Sequence, residues 1–450
     1  MISGAEYINE QRKTYSLYVL QSRSIPSAAD GFKAANRRVL WTARDGKKYK
    51  SATLAGATMP IHPHASPEDA VSLMAAPYKN NIPVLKGYGS FGTLLNPGAY
   101  GAARYTSVAL SKFAQEVVLA DVEVIPMMEN YDGTLEEPKH FLPLVPLVLL
   151  NPSEGVAIGF ASNILPRSLD DIITDQIQHL TQPSKKIKDR FPQFVPTNST
   201  ATEHTLNKNG NPQWTFEGTY EKVNSTTIKI TSLPYGLAHA KYTELLVNLV
   251  ENGDIVDYED GSKTTFDINV KFNRGALAKL SHDKLMKLLG LVSKSSENLN
   301  VLGFDGQRVV TTTYETLIRE FCDWRLGWYV QRYERLKDLL ERDIQRYKDV
   351  ILAIKKNVGS TARNVASKGE LEEYLAEIGV VHTDYVSSLP VYRFTEEERV
   401  KTETKLKDAL AQVKRYNILL SNEEERRTVY VSELKDVLGK YKKGYYNEAG

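Results

Sequence analysis

In the last third of the chain, apolar residues recur at helix-face spacing over an unusually long stretch. Leu336, Leu340, Ile344, Tyr347, Ile351 and Ile354 follow one another at steps of three and four, and Leu406, Leu410, Val413 and Leu420 repeat the spacing further on. Such steps place every member on one side of a helix. The stretch between them, 359–392, is compact and more broken. Two long helices around a small globular piece predict an antiparallel coiled coil with a knob at its tip. Neither helix is a continuous heptad array, so ordinary bundle packing stays open beside it.

The pattern upstream is different. Over about 215–272 the segments "TTIKITSLPY" and "TTFDINVKF" alternate apolar and polar residues every second position, the signature of half-buried strands. Helical patterns at 241–251 and 279–289 interrupt them, so this part is mixed α and β. Residues 5–135 alternate short helical patterns with loops. Ser66-Pro67-Glu68-Asp69 reads as a helix start, with serine at the N-cap, proline at the first helical position and acids in the first turn.

A chain of 450 residues holds two to four domains. Its 42% hydrophobic and 25% charged residues are ordinary for a soluble globular protein, and the net charge of +2 selects no partner. The distribution says more. Between residues 11 and 66 ten Lys or Arg stand against Asp30 and Asp45, the layout of a phosphate-binding face or of a solvated basic surface. The single cysteine, Cys322, excludes an intramolecular disulfide framework and a cysteine-based zinc site. The opening residues lack a basic-then-apolar leader, and the apolar run 141–150 is too short to span a bilayer. These features predict a cytoplasmic protein with no membrane partner.

"GYGSFGTLLNPGAYGAARYT", residues 87–106, matches G-x-G-x-x-G at Gly87, Gly89 and Gly92. A dinucleotide loop of that form needs a helix opening at its last glycine to hold the pyrophosphate. Here Asn96-Pro97-Gly98 follows, which is turn chemistry. The glycines are better explained by tight turns and close backbone approach, in a loop that delivers a tyrosine into a groove.

Seven segments in order resemble the A-type, breakage-and-reunion subunit of type IIA DNA topoisomerases. They are "SRSIPSAADGFKAANRRVL", "IHPHA", "GYGSFG" with "AARYT", "ENYDGT", "LPLVPLVLLNPSEGVAIGFASNILP", "SLPYG" and "LPVYRFTEEE". The short length is similar to the bacteriophage members of that family. The resemblance implies an α+β multidomain fold. A winged-helix (helix-turn-helix) DNA-binding domain would occupy 1–135 and a mixed α/β tower 136–312. A long coiled coil with a small helical C-gate would occupy 313–450, its globular tip at about 359–394.

The resemblance also implies a site. Tyr105 matches the nucleophile, Arg104 its neighbour, and Arg23 and His64 the further arginine and histidine near the scissile phosphate. A phosphotyrosyl ester keeps the energy of the broken phosphodiester, so the freed DNA hydroxyl can reverse the attack. A permanently charged guanidinium can stabilise the extra negative charge in the transition state; Arg104 and Arg23 can equally be phosphate anchors. Lys33, Arg37 and Arg38 are expected on phosphates, which position without reading sequence, and His62 in turn packing or DNA contact. Asn36 stands where the family has a histidine. Val156 matches the family's intercalating isoleucine, with core packing the alternative.

The family's cleavage uses Mg2+, and its strand passage uses ATP. The sequence has neither an acidic Asp-x-Asp cluster nor a phosphate-binding loop, so both cofactors are expected on partner subunits and no metal on this chain. The expected partners are double-stranded DNA, a second copy through the C-gate, and subunits carrying the ATPase and metal site. The family's DNA-wrapping C-terminal domain has no counterpart here, which predicts relaxation and decatenation without efficient supercoiling. If the chain is phage-encoded, its compartment is the bacterial host cytoplasm. Two other readings compete: a docking component that has lost cleavage, disfavoured by Arg104-Tyr105, and a tyrosine recombinase, disfavoured by a tyrosine at 105 of 450.

Overall fold

The computed structural model describes residues 11, 15, 18–63, 67–157 and 159–448. His64 and Ser66, both singled out above, lie outside the described residues. The backbone is α+β, and it groups into two compact units. The first holds residues 1–325 with 431–450, and the second holds 326–430. The expected boundary near 135 falls inside the first unit.

In the first unit, helix α1 (Ala34–Thr42) buries Ala34, Val39 and Leu40 together with Arg37. A turn with Gly46 at φ 73° ends it and leads to strand β1 (Tyr49–Lys50) and helix α2 (Ser51–Ala57). Helix α3 (Pro67–Ala75) carries Glu68 and Asp69 in its first turn, where carboxylates favour the helix N-terminus. Strands β2 (Leu85–Tyr88) and β3 (Ser107–Leu110) complete a three-stranded antiparallel sheet in the order β1-β3-β2. Three short helices beside a small sheet thus carry the basic segment and the tyrosine loop.

The apolar run 141–150 is core: Phe141, Leu142, Val145, Val148, Leu149 and Leu150 are each at most 1% exposed. It opens into the hairpin Ser153–Ala157 with Phe160–Ile164. Helix Leu169–Thr181 starts on Ser168, whose side chain accepts from the Asp171 N–H. Two four-stranded sheets follow. In one, Thr227–Ser232 and Ile268–Lys271 pair in register and turn Ile228, Ile230, Ile268 and Val270 inward, as the alternation predicts. Helix His239–Glu251 covers that core with Tyr242 and Leu246. The other sheet is built on Ser199–Leu206 and Pro212–Glu217. Its first strand is mostly exposed and polar, so no periodicity in the sequence pointed to it.

The second unit is helical. The part of helix Tyr314–Lys355 from Leu326 onward runs antiparallel to Glu396–Ser421, with Tyr333 against Tyr416 at 5.6 Å and Lys355 near Glu403 at 4.0 Å. Ala353, Val358, Leu375, Val380 and Val386 form the core of the small piece between them. Asn422 breaks the returning chain, and its side chain accepts from the Glu424 N–H to start Glu423–Lys442. The expected stripes are only partly covered: Ile344 and Ile351 are buried, while Leu336 and Leu410 are exposed.

Candidate functional site

Tyr105 sits at the end of the loop joining β2 to β3. The loop is closed by its own bonds: Gly101 donates to Ser90 O, Ser90 Oγ to Ala99 O, and Ala99 and Thr93 N–H groups both to Asn96 O. Gly92 has φ 82°, and a Cβ there would lie 2.6 Å from the Pro97 carbonyl, so glycine is needed for chain approach and not for a ligand. No helix opens at this point. The G-x-G-x-x-G match is therefore a turn device, as its Asn-Pro-Gly continuation predicts.

Beyond the turn, the backbone is clamped on either side of the tyrosine. Helix α2 has no side-chain N-cap. Its first amide donors are instead accepted by the loop: Ser51 N–H by Thr106 O at 3.1 Å and Ala52 N–H by Ala103 O at 3.2 Å. Thr106 Oγ1 donates to Ser51 Oγ at 2.8 Å, and both residues are buried. With residues 103 and 106 fixed, Tyr105 projects outward and is 71% exposed. The Arg104 guanidinium lies 4.7 Å from its ring centre. Arg104 also lines a cleft of about 270 Å³ with Glu68, Asp69 and Tyr100. Lys50, on the strand before α2, places Nζ 3.5 Å from the Tyr105 carbonyl oxygen.

A second group of the expected residues converges elsewhere. Arg23, Lys33, Arg38 and His62 line one cavity of about 100 Å³ with Tyr18 and Asn36. Tyr18 holds His62 by a 3.0 Å bond to Nε2, and the Arg23 guanidinium stands 5.5 Å from the Tyr18 ring. Lys33 donates to the Glu154 carbonyl at 2.7 Å, and burial pushes its ammonium below the usual lysine range.

Two of the expected phosphate ligands are instead used inside the protein. Arg37 is buried and donates from Nε and Nη2 to Asp30 at 2.7 and 3.0 Å, a carboxylate that also accepts the Phe141 N–H. Arg38 is held by Glu137 through Nε at 2.5 Å and Nη2 at 3.0 Å, with both side chains nearly covered. A buried guanidinium needs a carboxylate partner, so Arg37 is a strut and Arg38 offers only its cavity-facing edge. Asp30 is legible as a neighbour in sequence; Glu137, ninety-nine residues from Arg38, is not.

Val156 is 81% exposed on the Ser153–Ala157 hairpin, which removes core packing as its explanation. Gly155 explains the placement. A Cβ at Gly155 would lie 1.9 Å from the Ser24 carbonyl oxygen and 3.6 Å from Lys33 Nζ. Only glycine lets the hairpin press this closely on the backbone next to Arg23. The first unit thus carries two separate features: an exposed phenol with its own arginine, and a cavity walled by cations with an exposed apolar side chain tied to its wall.

Among the described residues no group of three or more His, Cys, Asp and Glu side chains is placed to hold a metal ion, and no helix is long and apolar enough to cross a membrane. The chain is 28% identical over 414 residues to the DNA topoisomerase medium subunit of Enterobacteria phage T4, covering 88% of this chain and 90% of the phage protein. It is 25% identical over 465 residues to the DNA topoisomerase 4 A-subunit of Pseudomonas aeruginosa and 26% over 460 to that of Escherichia coli K12. It covers 96% and 93% of itself in these two matches but only 61% and 60% of the bacterial proteins. The profile of one family runs through residues 23–435, from the cavity arginine to the last long helix. With that span, the chain belongs to the DNA gyrase/topoisomerase IV A-subunit family.

Proposed function

We propose that this chain is the DNA-cleaving subunit of an ATP-dependent type II DNA topoisomerase. One observation carries the reading: Tyr105 is bare to solvent between two backbone anchors with the Arg104 guanidinium beside its ring. The Tyr105 oxygen attacks a backbone phosphorus, the P–O3′ bond breaks, and the 3′-hydroxyl leaves with a proton. The strand's 5′ end is then held as a phosphotyrosyl ester. Attack by the same hydroxyl restores the phosphodiester and frees the phenol, with no net change in bond energy. Arg104 stabilises the charge that builds on the phosphoryl oxygens.

Arg23, Lys33, His62 and the open edge of Arg38 seat the backbone of the duplex, and His64 joins them by resemblance. Val156 enters a base step and favours bent DNA. The three helices with the β1-β3-β2 sheet act as the winged-helix domain, the two four-stranded sheets as the tower, and the helical unit as coiled coil and C-gate. Exposed Val381, Val391 and Tyr392 support pairing of two copies at that tip. The reaction uses Mg2+, which supplies charge stabilisation at the reacting oxygens. By resemblance to the family, partner subunits would hold both Mg2+ and ATP.

The test reconstitutes the chain with such subunits, stops the reaction with detergent and assays protein attached to DNA 5′ ends. Tyr105→Phe should abolish the adduct while DNA binding persists. An adduct of undiminished yield from Tyr105→Phe would refute the assignment, and DNA binding with no adduct from the unaltered chain would leave a docking role only.

A further inference from the structure

Residues 440–448 fold back onto the strands that carry Tyr105, and the cleavage chemistry does not account for them. Glu116 lies on the turn Ala114–Val118 just after β3. Its carboxylate accepts from Lys440 Nζ at 3.0 Å, Tyr445 Oη at 3.0 Å and Tyr446 Oη at 3.1 Å. Glu448 reaches both strands: it accepts the Lys112 N–H at 2.7 Å, beyond the end of β3, and stands 3.6 Å from Lys86 Nζ in β2. Lys112 Nζ caps the Tyr445 ring at 4.3 Å, and Phe113 meets Tyr446 edge-on at 5.4 Å. Burial pushes the Glu116 carboxyl up, but its three donors outweigh this and hold it below the usual range.

The sheet that bears the tyrosine loop is small. β1 has two residues, and β2 and β3 pair over four positions. Strands this short are marginal by themselves. The grip falls at Lys86 and Lys112, on the side of the ladder away from the loop, since Tyr88 and Ser107 form the pair that opens into it. A clamp at the root of the β2–β3 pair, on the side of it that β1 leaves uncovered, sets where its tip points.

We propose that residues 440–448 form a clasp that fixes the direction of the Tyr105 stalk, with Glu116 as a positioning residue for strand cleavage. The proposal rests on the cleavage reading given above. It requires that loss of the clasp slow the covalent step at saturating DNA without weakening DNA binding, because the clasp touches the stalk and none of the cavity that seats the duplex.

The experiment uses the full chain reconstituted with its partner subunits. Adduct formation at saturating DNA, DNA affinity and amide-exchange protection of 443–448 are compared for Glu116→Ala and Glu116→Gln. Glu116→Ala should free the segment and slow adduct formation about tenfold, less than the roughly 100-fold that a full 1 Å of misplacement can cost, with DNA affinity unchanged. Glu116→Gln, whose single amide oxygen can take over only one of the two acceptor positions, that of Tyr445 or that shared by Tyr446 and Lys440, should fall between. If Glu116→Ala unfolds the protein, the Tyr445→Phe, Tyr446→Phe pair, which removes only hydroxyls, carries the same expectation. An unchanged adduct rate overturns the clasp, as does a loss of affinity in step with rate. Absence of any adduct from the unaltered chain overturns the cleavage reading instead.

Discussion

The contact between Gly155 and Ser24 makes a sharp prediction about a single methyl group. In Gly155→Ala the new Cβ would start 1.9 Å from the Ser24 carbonyl oxygen and 2.9 Å from its carbonyl carbon. Both atoms are backbone, so no rotamer change relieves the clash, and comfortable contact lies at roughly 3.5 Å. The hairpin and the Arg23 segment must therefore separate by something over about 1 Å. Overpacking of this kind costs about 1–3 kcal/mol, which lowers Tm by roughly 1–4 °C in a protein of this size. The functional loss should be larger. Separation moves Val156 away from the cavity wall it stands beside, and a displacement of that order costs roughly 100-fold in a positioned reaction. The assay pairs calorimetry with adduct formation in the reconstituted enzyme at a temperature where the variant is folded. A variant with unaltered Tm and unaltered adduct rate would refute the argument that glycine is required at 155.

Three more outcomes follow from the same geometry. Glu137→Ala leaves the nearly covered Arg38 guanidinium without its carboxylate and should cost about 3–5 kcal/mol in denaturant unfolding; a loss no greater than a surface substitution would contradict the pairing. Lys33→Ala should reduce the salt slope of DNA binding by about 1, and because burial lowers the Lys33 ammonium, the unaltered protein should lose this contact at a less alkaline pH than ordinary lysines would. In the helical unit, burial raises the Asp349 carboxyl, but donation from His382 Nδ1 and the Val381 and His382 N–H groups holds it below the usual range. A depressed folded value means that its stabilisation is complete above the ordinary carboxylate pKa of about 3.9 and is lost as pH falls through the folded value. Asp349→Asn should lower stability at neutral pH and flatten that acid limb, and an unchanged limb in a pH series of melts would contradict it.

Sequence carried the elements whose signal is local. The alternation at Ile228, Ile230, Ile268 and Val270 places those residues in the core, and Asn96-Pro97-Gly98 forms the turn it predicts. The exposed tyrosine was legible only because its flanking motif resembles a known one; composition does not distinguish Tyr105 from the other tyrosines of the chain. What remained hidden is set by long-range pairing. Arg37 and Arg38 read alike as adjacent basic residues, yet one is bound to Asp30 and the other to Glu137, and only the fold decides which carboxylates come near. Tyr18 and Gly155 carry no local signal for the same reason, since their roles lie in what the chain brings against them. The strand Ser199–Leu206 was missed because its outward residues are nearly all polar and its pairing partners lie on either side in sequence.

The inward commitment of Arg37 and Arg38 changes what ionic strength should do. Each cation that touches a phosphate sheds about one condensed counterion, and the exponent of the salt dependence counts those contacts. A tally of basic side chains between residues 11 and 66 would forecast a steep exponent. With one guanidinium locked beneath the surface and another half occupied, this segment should contribute a shallower dependence than its formula charge implies.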